Sequence, residues 1–137
     1  MQTMVFDRSR AFICLDDRFY HYRSLTDARR KYDPNTQSSG QCDDRIDTQF
    51  WHRFRRAAGK KMATKSPGFK NCGADYPAWL NGTHPTVAEG TVRRNVCINK
   101  FTECSLKTIV DVKNCTYYYI YKFHPLYDCQ VRYCGSD

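Results

Sequence analysis

Three groups of residues in this sequence have types and spacings that could do chemistry. The first is a set of eight cysteines: Cys14, Cys42, Cys72, Cys97, Cys104, Cys115, Cys129 and Cys134. Their count is even, and none stands in a Cys-x-x-Cys pair. Zinc sites are usually built from two short Cys or His spacings, whereas His21, His52, His84 and His124 are scattered singly. No metal and no cofactor is therefore expected. Four disulfides formed in an oxidising compartment is the better reading. Spacing leaves their pairing open, since eight cysteines allow roughly a hundred connectivities.

The second group is two N-glycan acceptor sequences, Asn81-Gly82-Thr83 and Asn114-Cys115-Thr116. Pro77 to Pro85 reads as an ordered surface loop, so Asn81 is expected to be exposed and to carry glycan. Asn114 is the more open case, because early pairing of Cys115 would block it. The third group is basic. Arg53, Arg55, Arg56, Lys60, Lys61, Lys65 and Lys70 fall within eighteen positions that hold no acid, in a chain of net charge +8. Such a run attracts polyanions: nucleic acid inside cells, sulfated glycans or anionic lipid outside. Phe50, Trp51 and Phe54 interleave with it, as aromatics do in single-strand nucleic-acid grooves. The plainer reading is a solvated face that only keeps the domain soluble.

No catalytic residues are expected. The sequence has no Gly-x-Ser-x-Gly, no His-Glu-x-x-His and no glycine-rich phosphate loop. Asp16-Asp17 and Asp43-Asp44 lack the spacing of a calcium loop and read as solvated surface. Each histidine reads as a surface or hydrogen-bonded residue rather than a base.

The elements that must position these groups are short. At 137 residues, 41% hydrophobic and 26% charged, the chain has the size and composition of one globular domain. No apolar run approaches the roughly 18 residues of a membrane span. The aromatic fraction of 15% favours strands. Residues 1–41 read as a polar leader tied to the core through Cys14, and residues 42–137 as the compact domain. Ser24-Leu25-Thr26-Asp27 has capping-box form ahead of a short helix over 28–31. Residues 33–40 read as a turn or linker. Phe50, Phe54 and Ala58 fit a helix over residues 47–62, while Phe50, His52 and Phe54 equally fit one face of a strand. Leu106 to Val112 and Tyr117 to Phe123, separated by Asn114-Cys115-Thr116, read as a hairpin. The N-terminal MQTMVFDRSRAFICLDDRF has no basic n-region followed by an apolar h-region. The expectation is a part of a larger secreted protein.

Pro77 to Pro85, read PAWLNGTHP, closely resembles the hallmark of the eight-cysteine domain of the uromodulin and pancreatic zymogen-granule glycoprotein family. The match continues through Gly90, Arg94 and Cys97, then Val112-Lys113-Asn114-Cys115 and Tyr119-Ile120-Tyr121. It ends at Cys129-Gln130-Val131-Arg132-Tyr133-Cys134, so that it covers about residues 42–135. The resemblance implies a compact, β-rich, disulfide-stapled extracellular domain of short antiparallel strands and long loops, or a small α+β variant of it. It implies a basic hairpin of strands over residues 50–62. It also implies the pairs Cys14–Cys115, Cys42–Cys129, Cys72–Cys134 and Cys97–Cys104. The family usually has a further cysteine at the place of Ser66 and a doublet at Glu103-Cys104. Its vertebrate members carry a glycan acceptor at the place of Lys122, which this chain lacks.

The function so implied is a non-catalytic binding or scaffold module of a secreted or cell-surface glycoprotein, presenting an N-glycan at Asn81. Its partners would be other extracellular proteins or glycans, a sulfated glycosaminoglycan among them, with no nucleic acid. Two alternatives are a small basic secreted nuclease and a polyanion- or nucleic-acid-binding module working through residues 53–70. The nuclease would need two His and a Lys converging on a phosphate. The Cys-Lys-x-x-Asn-Thr-Phe motif of pancreatic-type ribonucleases is absent.

Overall fold

The computed structural model describes Cys14, residues 22–126 and residues 128–137. Nine strands lie among them: β1 Tyr22–Leu25, β2 Trp51–Phe54, β3 Lys61–Met62, β4 Tyr76–Asn81, β5 Thr91–Ile98, β6 Leu106–Asn114, β7 Tyr119–Phe123, β8 Val131–Tyr133 and β9 Gly135–Ser136. Seven of them form one sheet in the order β1-β2-β7-β6-β5-β4-β8, and β3 pairs with β9 beside it. The middle of the sheet is antiparallel, from β2 through to β4. At its two edges β1 runs parallel to β2, and β8 runs parallel to β4.

Sequence chemistry accounts for the central strands. Thr108, Ile109, Val110 and Val112 in β6 are β-branched, and β7 is aromatic or β-branched at every position but Lys122, which suits a pleated and half-buried surface. Their alternation decides the inner face: Val110 and Val112 are fully buried. In β7 both Ile120 and Tyr121 are fully buried, so that strand is covered on both faces. A chain of rings runs through the core. Phe54 meets Tyr121 edge-on at 5.3 Å, Tyr121 stacks on Phe123 at 5.8 Å, and Phe123 stacks on Tyr133 at 4.0 Å. Fully burying one such side chain is worth roughly 1.5–3 kcal/mol, and the ring geometry adds to that.

Two glycines close the corner where β3 meets β9. Gly59 sits at φ +97°, and a Cβ there would come within 2.6 Å of the Ser136 carbonyl oxygen. A Cβ on Gly135 would collide with the Ala58 carbonyl oxygen. Only a residue without a side chain allows these backbones to approach so closely. Four disulfides staple the sheet: Cys14–Cys115, Cys42–Cys129, Cys72–Cys134 and Cys97–Cys104. They are the pairs that the family resemblance implies.

The domain is compact and β-rich, and the β6–β7 hairpin lies where the residue pattern puts it. Three local readings need correction. Residues 24–31 form the end of β1 and one 3₁₀ turn, Ala28–Arg30, capped by the Asp27 carboxylate rather than by Ser24. Within the stretch before Cys42, β1 pairs with β2 and Arg30 is buried. Tyr76–Asn81 is a strand gripped between β5 and β8, not a loop. Residues 50–62 do hold strands, but β2 and β3 pair with β7 and β9 respectively, so they are not a hairpin.

Candidate functional site

A basic groove lies between the chain leaving β2 and the β6–β7 turn. Arg53 stands in β2, Arg55 just after it, and a 3₁₀ turn, Arg56–Ala58, follows. Arg56 takes a left-handed φ of +56° and Gly59 caps the turn, which returns the chain through Lys60 into β3 at Lys61. The opposite wall is Asn114 and Thr116 to Tyr119. Two adjoining hollows of about 280 and 270 Å³ make up the groove, and Lys60, Tyr117 and Tyr118 line both.

The tyrosine wall is fixed from behind. The Arg53 guanidinium lies 3.9 Å from the Tyr118 ring centroid and donates to the Tyr22 hydroxyl at 3.0 Å. Cation–π contacts of this kind favour arginine, whose planar head is weakly hydrated. Cys115 is bonded to Cys14, and the Tyr118 hydroxyl donates to the Cys14 carbonyl at 3.4 Å. Asn114 Oδ1 accepts the Thr116 N–H at 2.8 Å, while Asn114 Nδ2 donates to the Pro85 carbonyl at 3.0 Å. Thr116 at φ +77° turns the chain so that Tyr117 projects, 91% exposed.

Below the groove, the hallmark segment ties the wall to the core. Pro85 holds Asn114 as described, and the His84 ring packs tilted against Tyr119, with centroids 4.3 Å apart. The Tyr121 hydroxyl accepts the Met62 N–H at 2.8 Å and shares a hydrogen bond with His84 Nε2 at 2.7 Å. Burial first, then the charges of Lys61 and Arg94, lower the His84 pKa to about 4. Arg94 Nε donates to the Thr83 carbonyl at 3.0 Å and holds the loop that follows Asn81. Asn81 itself ends β4 and is exposed.

The basic run therefore divides. Arg53, Arg55, Arg56, Lys60 and Lys61 share the groove. Lys65 lines a separate hollow of about 250 Å³ with Tyr32 and Ser66. Lys70 lies over the Phe69 ring at 5.5 Å. Among the described residues, none of the five groove cations forms an ion pair; Asp137 lines the hollow beside Lys60 and Lys61, but its carboxylate is paired with Lys31 at 2.6 Å.

The aromatics are not the ones the run suggests. Phe54 is buried in the core, and Phe50 packs under Arg23 at 4.0 Å. Tyr117, Tyr118 and Tyr119 take their place. Three consecutive tyrosines directly after a hairpin turn are the available signal.

Other expectations also meet their geometry here. Asp43 is buried, not solvated: its carboxylate takes two hydrogen bonds from Arg30, at 2.7 and 2.8 Å, and one from the Tyr133 N–H at 2.8 Å. Asp16, Asp17 and His21 lie outside the described residues. Cys42, Asp44 and Cys129 come together, but the two sulfurs are joined as a disulfide and offer no thiolate ligand. His52 is buried, and desolvation lowers its pKa.

Comparison with known proteins completes the site. The uromodulin-like eight-cysteine domain matches residues 52–135. The dog pancreatic secretory granule membrane major glycoprotein GP2 (Canis lupus familiaris) is 38% identical over 113 residues, covering 81% of this chain and 22% of that protein. The rat GP2 (Rattus norvegicus) is 34% identical and covers 92% of this chain and 24% of that protein. Rat uromodulin is also 34% identical, over 82% of this chain and 17% of that protein. The chain thus spans about a quarter or less of the length of these relatives. Their glycoprotein character and the four disulfides mark the domain as extracellular. Hallmark, disulfide ladder and matched span agree, and the chain belongs to the family of uromodulin-like eight-cysteine domains.

Proposed function

We propose that this domain is a non-catalytic binding module that presents an N-glycan at Asn81 and takes a sulfated glycan chain in its basic, tyrosine-walled groove. The observation that carries the groove reading is the gathering of five cations on one concave face, none in an ion pair among the described residues, against a single lining acid, Asp137, that is paired with Lys31. Charges consumed by a fold are held by carboxylates. These are not, and a polyanion supplies the counter-charge. An extracellular setting favours a sulfated polysaccharide over nucleic acid. The exposed end of β4 supports the Asn81 glycan, since transfer needs an accessible Asn-x-Thr.

The nuclease reading has less support. His84 Nε2 is engaged by Tyr121, and His52 is buried. The unpartnered Nδ1 of His52 is shielded from a phosphate by burial.

Heparin chromatography tests the groove. The wild type should be retained and should elute as salt rises, because exposed charges are screened within about 8–10 Å at physiological ionic strength. Replacing Arg55, Arg56, Lys60 and Lys61 with Gln should abolish retention while circular dichroism and melting temperature stay unchanged. Unchanged retention would reduce the basic run to a solvated face. Intact-mass analysis before and after glycosidase treatment tests Asn81, and an unmodified Asn81 in protein secreted from animal cells would remove that part of the reading.

A further inference from the structure

The second glycan acceptor lies inside the groove rather than beside it. Asn114 lines the same hollow as Lys60, Lys61 and Tyr117, at the end of β6. Its carboxamide has two N–H groups. The Pro85 carbonyl takes one, and the Thr116 N–H pins the amide oxygen, so the side chain is held in a fixed direction. A sugar on Nδ2 would grow from that fixed point at the wall where Tyr117 stands.

We propose that Asn114 is a modification site that closes the groove: with Asn114 bare the groove takes a sulfated glycan chain, and with Asn114 glycosylated the attached sugar occupies it. The proposal rests on the polyanion reading above. Three features support it together. Asn-Cys-Thr is an acceptor sequence. Its asparagine is half-buried among the groove cations, whereas Asn81 is exposed at the end of β4. Its middle residue, Cys115, must pair with Cys14 in the finished fold.

That last feature makes occupancy a choice set during synthesis. Transfer from a lipid-pyrophosphate-linked oligosaccharide breaks the anomeric C–O bond, forms a C–N bond to Asn114 Nδ2, and releases the lipid pyrophosphate and one amide proton. It needs the extended chain, and closure of the Cys14–Cys115 bond folds the acceptor into its turn. If transfer comes first, the groove is filled. If the bond comes first, the groove is open. Two populations of one polypeptide follow, differing in a single sugar and in their affinity for polyanions.

The test uses the full chain secreted from animal cells. Its two glycoforms are separated by mass and mapped at Asn114 by glycosidase-dependent deamidation. Each is then run on immobilised heparin and titrated with a heparin fragment. The bare form should bind, and the Asn114-glycosylated form should bind about tenfold or more weakly. Protein secreted in the presence of an inhibitor of lipid-linked oligosaccharide synthesis keeps the whole groove wall and carries no glycan at Asn114. It should give only the binding form. Asn81→Gln should leave the difference between glycoforms intact.

Equal binding by the two glycoforms overturns the proposal while leaving the polyanion reading in place. Absence of glycan at Asn114 in every secreted molecule also overturns it. If neither glycoform nor the uniformly bare protein is retained, the groove reading itself has failed, and the gate fails with it.

Discussion

Two sets of arginines in this domain face opposite environments. At the end of the sheet near β8, Arg30 and Arg132 are consumed by the fold. The Arg30 and Asp43 side chains are only 7% and 5% exposed; Arg30 holds both carboxylate oxygens and also donates to the Tyr133 carbonyl at 2.9 Å. Arg132 is likewise buried, and donates to Asp27 at 3.0 Å and to the Cys72 carbonyl at 3.5 Å. Bonds from Arg29 first, with the backbone of Arg29 and then Arg132 assisting, hold the Asp27 carboxyl well below the usual carboxylate range. In the groove, by contrast, Arg55, Arg56 and Lys60 form no ion pair among the described residues, and the one carboxylate lining it, Asp137, is paired with Lys31. Buried charges must be paired to survive desolvation. Charges left unpaired in a concavity remain available to a ligand. Pairing, not abundance, separates the structural cations from those open to a partner.

The sharpest way to break that comparison is to remove one partner of the buried pair. Arg30→Ala or Asp43→Ala strands an uncompensated charge and should cost about 3–5 kcal/mol. The fourfold Gln substitution in the groove should change stability little, since surface substitutions are usually worth within about 0.5 kcal/mol each. Urea titration of both variants measures the contrast. A groove variant that loses as much stability as Asp43→Ala would erase it.

The same contrast explains what the sequence can reveal. A run of basic residues is visible along the chain, so the five groove cations are legible, together with Lys65 and Lys70, which the fold carries elsewhere. The tyrosine wall is not legible, because only the β2–β7 pairing brings residues 117–119 opposite residues 53–61. Asp43 misleads for a similar reason: its neighbour Asp44 is exposed, and nothing local reveals Arg30 as its partner. The β6–β7 hairpin is legible because its strand propensity and its turn are both local. Tyr76–Asn81 is not, since Pro77 and Asn81-Gly82 signal a loop while burial of Ala78 and Leu80 between β5 and β8 decides for a strand. Tertiary burial overrides local punctuation there.

His84 sits where the core meets the groove, and its titration should report on both. In the folded domain it is neutral down to about pH 4. Unfolded, it takes a proton near pH 6.5. Between those values the unfolded chain binds a proton that the fold refuses, so stability is complete above about pH 6.5 and falls as pH drops toward 4. The loss should be about 1–3 kcal/mol. His52, lowered chiefly by burial, adds a loss of the same sign. His84→Phe keeps a ring against Tyr119 and removes one titrating group. Its melting temperature should fall less steeply with acid than that of the wild type. An identical slope would show that His84 does not titrate across the unfolding transition.

The smallest expected effect concerns Ser66 and Glu103, the two places where the family usually has further cysteines. Both positions are anchored to neighbouring residues of β4. Ser66 Oγ accepts from Asn99 Nδ2 at 2.7 Å, and the Asn99 N–H donates to the Pro77 carbonyl at 2.9 Å. The Glu103 carbonyl accepts from the Trp79 indole at 2.9 Å. Pro77 and Trp79 lie two residues apart on one strand, so the two loops are drawn to the same end of the sheet. We expect Ser66→Cys with Glu103→Cys to oxidise within the monomer, as a bridge requires Cα atoms about 4.4–6.8 Å apart. Either substitution alone should leave a reactive thiol and promote dimers. The double variant should gain less than the ~2–4 kcal/mol typical of a bridge, because Cys72–Cys134 and Cys97–Cys104 already restrict the unfolded chain in this region. Thiol titration and thermal melting check both halves. Two thiols that stay free under oxidising conditions would show that the hydrogen bonds from Asn99 and Trp79 hold the loops apart rather than together.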